Sequence, residues 1–194
     1  MRKLDRANVA VPPSLAGPSQ AVANEIANAI TYYAARVPWT ADHTSYQFQN
    51  YRGADVKIAL RRLAGGNCAY CESKIGAVGA REVEHYRPKG GIAALAGHPG
   101  YWWLAHRWDN LLPTCRDCNK SLRQHIVNPG MTEAEVLELQ GRRAAASFGK
   151  ANQFEIRGQR AVGGAVMLNS KIRCLSTPAG TIPVSTLLGI SRSS

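Results

Sequence analysis

"CAYCE" at residues 68–72 and "CRDCNK" at residues 115–120 each carry two cysteines separated by two residues, and these four positions decide the fold. A Cys-x2-Cys turn offers two thiolates to one ion, and two such turns complete a tetrahedron. Cys68, Cys71, Cys115 and Cys118 are therefore expected to hold one structural Zn²⁺. Disulfides are the weaker reading: the opening "MRKLDRANVAVPPSLAG" has no uninterrupted apolar stretch of signal-peptide length, which points to the reducing cytoplasm. A thioredoxin-like redox motif needs one pair beside a βαβ pattern, and that pattern is missing. Cys174 has no partner at ligand spacing and reads as a buried small residue or a free thiol. A four-thiolate site has no open position for water, so chemistry has to lie elsewhere in the chain.

The 194 residues fit one domain with an added arm, long enough to bury a core without disulfides. No apolar run approaches the roughly 20 residues of a membrane span, so a soluble protein with no membrane association is expected. The net charge of +11 and pI near 9.8 favour polyanions, because neutralising phosphates releases condensed counterions. Nucleic acid leads among the partners.

Three regions follow: an N-terminal arm and helical region at 1–65, a cysteine-bounded core at 66–126, and a C-terminal helix with a poorly defined tail at 127–194. Residues 1–19, with Pro12, Pro13 and Pro18, read as an extended arm. In "AVANEIANAITYYAAR" (21–36), Val22, Ile26, Ile30 and Tyr33 recur at helical spacing and predict an amphipathic helix with a core face. A loop precedes a second helix near "ADVKIALRRLAGG", ended by Gly65 and Gly66. Thr132 caps a further helix whose first turn is acidic. Residues 163–194 show no convincing period.

Between the cysteine pairs stand "EVEHYRPKG" (82–90) and "GYWWLAHRWDNLLPTC" (100–115), and the second pair runs into Asn119. This order of Glu-His, Asn and Asn threaded through two cysteine pairs resembles the HNH endonuclease family over roughly residues 66–126. The resemblance implies an α+β, ββα-metal nuclease core with a four-cysteine zinc site and flanking helices. "EVEHYRP" is the first strand, stopped by Pro88, "NLLPTC" its partner, and "RDCNKSLRQHI" the helix carrying the last ligand.

Phosphodiester hydrolysis needs an activated water, a cation against developing charge, and help for the departing oxygen. His85 accepts a proton near neutral pH and is the expected general base. Glu84 and Asn119 are hard oxygen donors suited to catalytic Mg²⁺ or Mn²⁺. Asn110 matches the family's middle Asn, whose implied role is to orient the histidine loop. Many relatives carry Asp or His where Glu84 stands and His where Asn119 stands, so Glu84 is either a ligand or one step removed from the cation. Arg87, Lys89, Arg116, Lys120 and Arg123 are expected at the nucleic-acid backbone, with Arg123 on the same helix face as Asn119 and Arg116 paired with Lys120 at i, i+4. A solvated basic face is the plainer account of any one of them. His43, His98, His106 and His125 read as structural or solvent-facing. Tyr101, Trp102, Trp103 and Trp108 read as a small core rather than a base-stacking platform.

"MRKLDR", "CAYCE", "EVEHYRPKGG" and "WDNLLPTCRDCNK" together look like the small HNH nucleases of bacterial anti-phage systems of the Septu and retron-associated kind. That resemblance implies cleavage of DNA to 5′-phosphate and 3′-hydroxyl ends, an ABC- or SMC-type ATPase partner, and a docking role for the arm and first helix; the plainer account is that these cap the core. It also implies a Phe-containing strand in "GKANQFEIRGQRAVGG". The alternative function is a zinc-stabilised nucleic-acid-binding or assembly subunit whose cleavage is absent or conditional on the partner.

Overall fold

The computed structural model describes residues 4–17, 19–75, 82–93, 95–120, 122–125, 127–142, 146–156 and 160. Cys174 and the tail from 163 onward lie outside the described residues.

Helix α2 (Gln20–Ala34) begins where the Ser19 hydroxyl accepts the Val22 N–H. Its inward face is Val22, Glu25, Ala29 and Tyr33, whereas Ile26 and Ile30, expected in the core, each stay 38% exposed. Glu25 sets this rotation. Its carboxylate accepts the backbone N–H groups of Gln49 at 2.7 Å and Asn50 at 3.0 Å and meets His106 Nε2 at 2.7 Å, so the helix turns its one buried acid toward those donors. The arm read as extended contains one helical turn, α1 (Pro13–Ala16), and Asp55 ties it down by accepting the Ser14 N–H. Arg6 donates to the Leu111 carbonyl at 2.7 Å and lies over the Trp108 ring, so the arm caps the core.

Helix α3 (Ala54–Leu63) buries Val56, Ala59 and Leu60 and ends at Gly65 and Gly66, both at positive φ. Strands β1 (Glu82–His85) and β2 (Leu111–Thr114) pair antiparallel, with Glu82 opposite Thr114 and His85 opposite Leu111. α3 packs against β2. One face of this hairpin, with Val83 and Leu111, joins the main core of Ala29, Tyr33, Phe48, Tyr51, Val56, Leu60, Ala105 and Trp108. The expected aromatic cluster is core: Tyr101 and Trp108 are buried, and Trp102 stacks on Tyr33 with ring centroids 4.7 Å apart. Tyr101 belongs to a second cluster, with Ile92 and Phe154.

Two expectations are corrected after β2. The helix expected over "RDCNKSLRQHI" is a single turn, α4 (Arg116–Asn119), followed by strand β3 (Leu122–Gln124) paired with β4 (Ala146–Phe148). The physical reason lies in two carbonyls. Those of Cys118 and Asn119, which a longer helix would offer to residues 122 and 123, instead accept the N–H groups of Lys150 at 2.9 Å and Ala151 at 3.2 Å. Arg123 therefore sits on a strand, off any helix shared with Asn119. The expected Phe-containing strand falls earlier than "GKANQFEIRG": β4 ends at Phe148, and Phe154 packs as a buried ring outside any strand. Helix α5 (Glu133–Gln140) follows the Thr132 cap, completed as a capping box by Glu135. The result is a small α+β domain with two-stranded antiparallel sheets and flanking helices.

Candidate metal centre and active site

The first knuckle leaves α3 through the two glycines and folds back on itself, with Cys68 N–H donating to Ser73 O and Ile75 N–H to Gly66 O. The second comes from the end of β2 and α4. The four thiol sulfurs of Cys68, Cys71, Cys115 and Cys118 lie within 4.8 Å of one another, and those of Cys71 and Cys115 are 3.8 Å apart. Zinc–thiolate bonds near 2.3 Å in a tetrahedron place sulfurs about 3.8 Å apart, so the cluster has the dimensions and the soft donors that Zn²⁺ requires. The backbone supports thiolate character. The N–H groups of Tyr70 and Cys115 point at Cys68 Sγ, at 3.5 and 3.4 Å. Cys68 is pushed down to about 3, first by a hydrogen bond from Cys118 and then, against its burial, by these N–H groups. Cys118, as the donor, is pushed up.

Alternation along β1 sends its side chains two ways. Glu82 and Glu84 face the thiol cluster side, shared with Thr114, whose hydroxyl lies 3.6 Å from Cys68 Sγ. Asn119 Nδ2 donates to Glu82, and Lys120 Nζ stands 3.7 Å from the same carboxylate. Glu84 is 9% exposed, and its Oε1 is held at 2.7 Å by Lys150 Nζ, itself 6% exposed. Burial raises the Glu84 carboxyl above its ordinary value, with Lys150 and then Lys89 pulling the other way. Tyr70 reaches the same neighbourhood. Its hydroxyl is buried without a hydrogen-bond partner among the described residues, and burial followed by the Glu84 charge raises its pKa.

His85 faces the opposite side, 4% exposed, with its ring edge-on to Tyr51 at 4.4 Å. Nε2 lies 2.9 Å from the Ala105 carbonyl, which only accepts, so Nε2 carries the proton and Nδ1 the lone pair. Burial, then the positive charge of Lys89, pushes the ring down to about 3. It is neutral throughout the physiological range. Asn110 grips the chain just beyond: its Oδ1 accepts the Arg87 N–H at 2.8 Å, and its Nδ2 donates to Arg87 O and Leu104 O.

Among the expected backbone contacts, Arg116 is exposed, Lys120 is occupied with Glu82, and Lys89 is half-buried with its ammonium 5.4 Å from the Tyr51 ring. Of the histidines, His106 pairs with Glu25, His98 is buried and accepts from Gly100 N–H, and His43 accepts from Thr40 N–H. Sequence reasoning passed over Glu82, Tyr70 and Lys150. Period-two counting from Glu84 finds Glu82 on the same face, and Tyr70 lies inside the first knuckle. For Lys150 the only local signal is the preceding glycine.

No helix among the described residues is long and apolar enough to cross a membrane. No family model matches the chain, and no solved structure matches it. Curated relatives do. Over 97 residues the chain is 40% identical to the Septu protein PtuB of Bacillus mycoides (strain KBAB4), covering 47% of this chain and 32% of that protein. Over 81 residues it is 33% identical to the Septu protein PtuB of Bacillus thuringiensis, covering 38% of this chain and 28% of that one. The chain thus spans less than a third of the length of either relative, and over just under half of its own length it is homologous to Septu protein PtuB.

Proposed function

We propose that this chain is a metal-dependent HNH endonuclease that hydrolyses phosphodiester bonds in DNA, acting in anti-phage defence alongside an ATPase partner of the ABC or SMC type. The observation that supports the reading is the four-thiol cluster at the end of β2, next to the β1–β2 hairpin whose first strand carries Glu84 and His85, with Asn110 just before β2 and Asn119 at the end of α4. Homology to PtuB supports the defence role. In this reading the hairpin and α4 are the ββα-metal unit, and structural Zn²⁺ on the four cysteines makes so small a unit rigid.

His85 is the general base. With Nε2–H fixed on Ala105 O, the Nδ1 lone pair is the proton acceptor for the attacking water; burial, which holds the ring down to about 3 rather than near neutrality, makes it a weak base until the site opens to water and phosphate. Asn110 holds the backbone two residues on, so the imidazole keeps its orientation. The oxygen donors Glu84 and Asn119 stand on the thiol-cluster side of the hairpin with Glu82 nearby, a hard donor set that fits Mg²⁺ or Mn²⁺. A bound divalent ion supplies charge stabilisation for the phosphate. Arg87, Lys89, Arg116, Lys120 and Arg123 are the proposed contacts to the nucleic-acid backbone.

Burial of His85 and the Lys150 clamp on Glu84 favour a second reading, an assembly or binding subunit whose cleavage is conditional on its partner. The deciding experiment incubates the zinc-loaded protein, with and without an ATPase partner of the proposed ABC or SMC type, with supercoiled plasmid and Mg²⁺ or Mn²⁺. Nicking or linearisation by the protein alone supports the first reading. Cleavage only with the ATPase supports the second, and silence in every arm removes the nuclease.

A further inference from the structure

Lys150 is a buried cation to which the nuclease reading gives no task. Its Nζ is 2.7 Å from Glu84 Oε1 and 3.4 Å from Ala151 O, across 66 residues of sequence. Several backbone features fix it there. Lys150 N–H donates to Cys118 O, and Ala151 N–H donates to Asn119 O, so the segment is stitched to the second knuckle. Gly149, at φ 115°, lies where any Cβ would overlap the Lys120 carbonyl, and only glycine lets the chain approach so closely. Ala151 takes a positive φ of 43° beside it.

Burying an ammonium carries a desolvation cost that an apolar side chain avoids, so packing alone does not account for a lysine. The carboxylate it meets is the oxygen donor assigned to the divalent ion. A cation at bonding distance from Glu84 Oε1 would stand within a few ångströms of Nζ, where like charges repel strongly in a partly buried site. We propose that Lys150 is a resident counter-ion that a divalent cation must displace from Glu84. This rests on the reading of Glu84 as a cation ligand.

The test is a Mn²⁺ titration of the zinc-loaded full chain, following free Mn²⁺ by electron paramagnetic resonance and zinc by elemental analysis. The parent, K150M, K150Q, E84Q and the double variant E84Q/K150M are compared. Removing the ammonium is expected to tighten Mn²⁺ binding by at least about tenfold, and the gain is expected to vanish in E84Q/K150M. K150Q keeps a donor without the charge and carries the same expectation if K150M fails to fold. Unchanged or weaker binding in both lysine variants, with parental binding lost in E84Q, overturns the inference and leaves Glu84 as the ligand. Tightening that survives in E84Q/K150M overturns it as well. Absence of any Glu84-dependent Mn²⁺ binding, in parent and variants alike, overturns the ligand assignment and the inference together.

Discussion

His85 is held as a donor on one side and a lone pair on the other, in a pocket that keeps it uncharged. Replacing it by alanine empties a buried site, so His85→Gln is the cleaner substitution, since an amide nitrogen keeps a donor within reach of the Ala105 carbonyl. His85→Gln is expected to lower plasmid cleavage by about 10²- to 10⁴-fold with zinc content and DNA affinity unchanged. Parental nicking by this variant would remove His85 from the chemistry. Its buried ring also links stability to pH. The folded ring sits near 3 against an ordinary 6.5, so between those values the unfolded chain binds a proton that the folded one does not. Stability is then full above about 6.5 and is lost as pH falls toward 3. Urea unfolding at a series of pH values should show this decline, and His85→Gln should flatten it.

At the scale of elements, the loop that carries Lys150 depends on one residue without a side chain. Gly149→Ala combines a positive φ with overlap on the Lys120 carbonyl, and is expected to cost about 1–3 kcal/mol, read as a lowered thermal midpoint. A midpoint equal to the parent's would show that the 149–151 segment is not held as described. The α2 to 49–50 connection rests on Glu25, whose carboxyl, despite burial, is held below its ordinary value by the Asn50 and Gln49 N–H groups and His106. Glu25→Ala strands all three donors and is expected to cost about 3 kcal/mol; urea denaturation measures it. Local pattern made these elements legible to different degrees. The period of α2, the glycine stop of α3 and the Thr132 cap are written in neighbouring residues, so the helices were readable. The inward face of α2 was not, because it answers to Glu25 and its partners 24 and 81 residues away. The truncation of α4 was hidden for the same reason, since the carbonyls that a longer helix needs are taken by residues 150 and 151.

For the whole molecule, the thiol cluster joins the end of α3 to the end of β2, and its loss should be felt well beyond the knuckles. Removal of zinc by a chelator, or Cys68→Ser, is expected to lower the thermal midpoint and the folded yield together, with about one zinc per chain in the parent by elemental analysis. A zinc-free parent with the same midpoint would reduce the cluster to four free thiols. The metal site was the most legible feature because its spacing is local on each side and its chemistry is carried by residue type alone. The edge that carries Glu84 was legible as a strand and illegible in its closure. Nothing in "EVEH" says that one carboxylate is clamped by a lysine beyond β4, because a contact across 66 residues leaves no mark in the pattern at either end.

The two knuckles are also separated in time. The first leaves the ribosome complete at Cys71, and residues 72 to 114 must be made before Cys115 appears. At about 5–20 residues per second that interval is roughly 2–9 s. During it the nascent chain carries a half-built site of two thiols, one of them exposed in the finished fold, with neither β2 nor α4 yet there to shield them. Oxidation or capture of a foreign soft metal therefore has an early window, before the hairpin exists, and folded yield is expected to follow the redox state and zinc supply that the growing chain meets in those seconds.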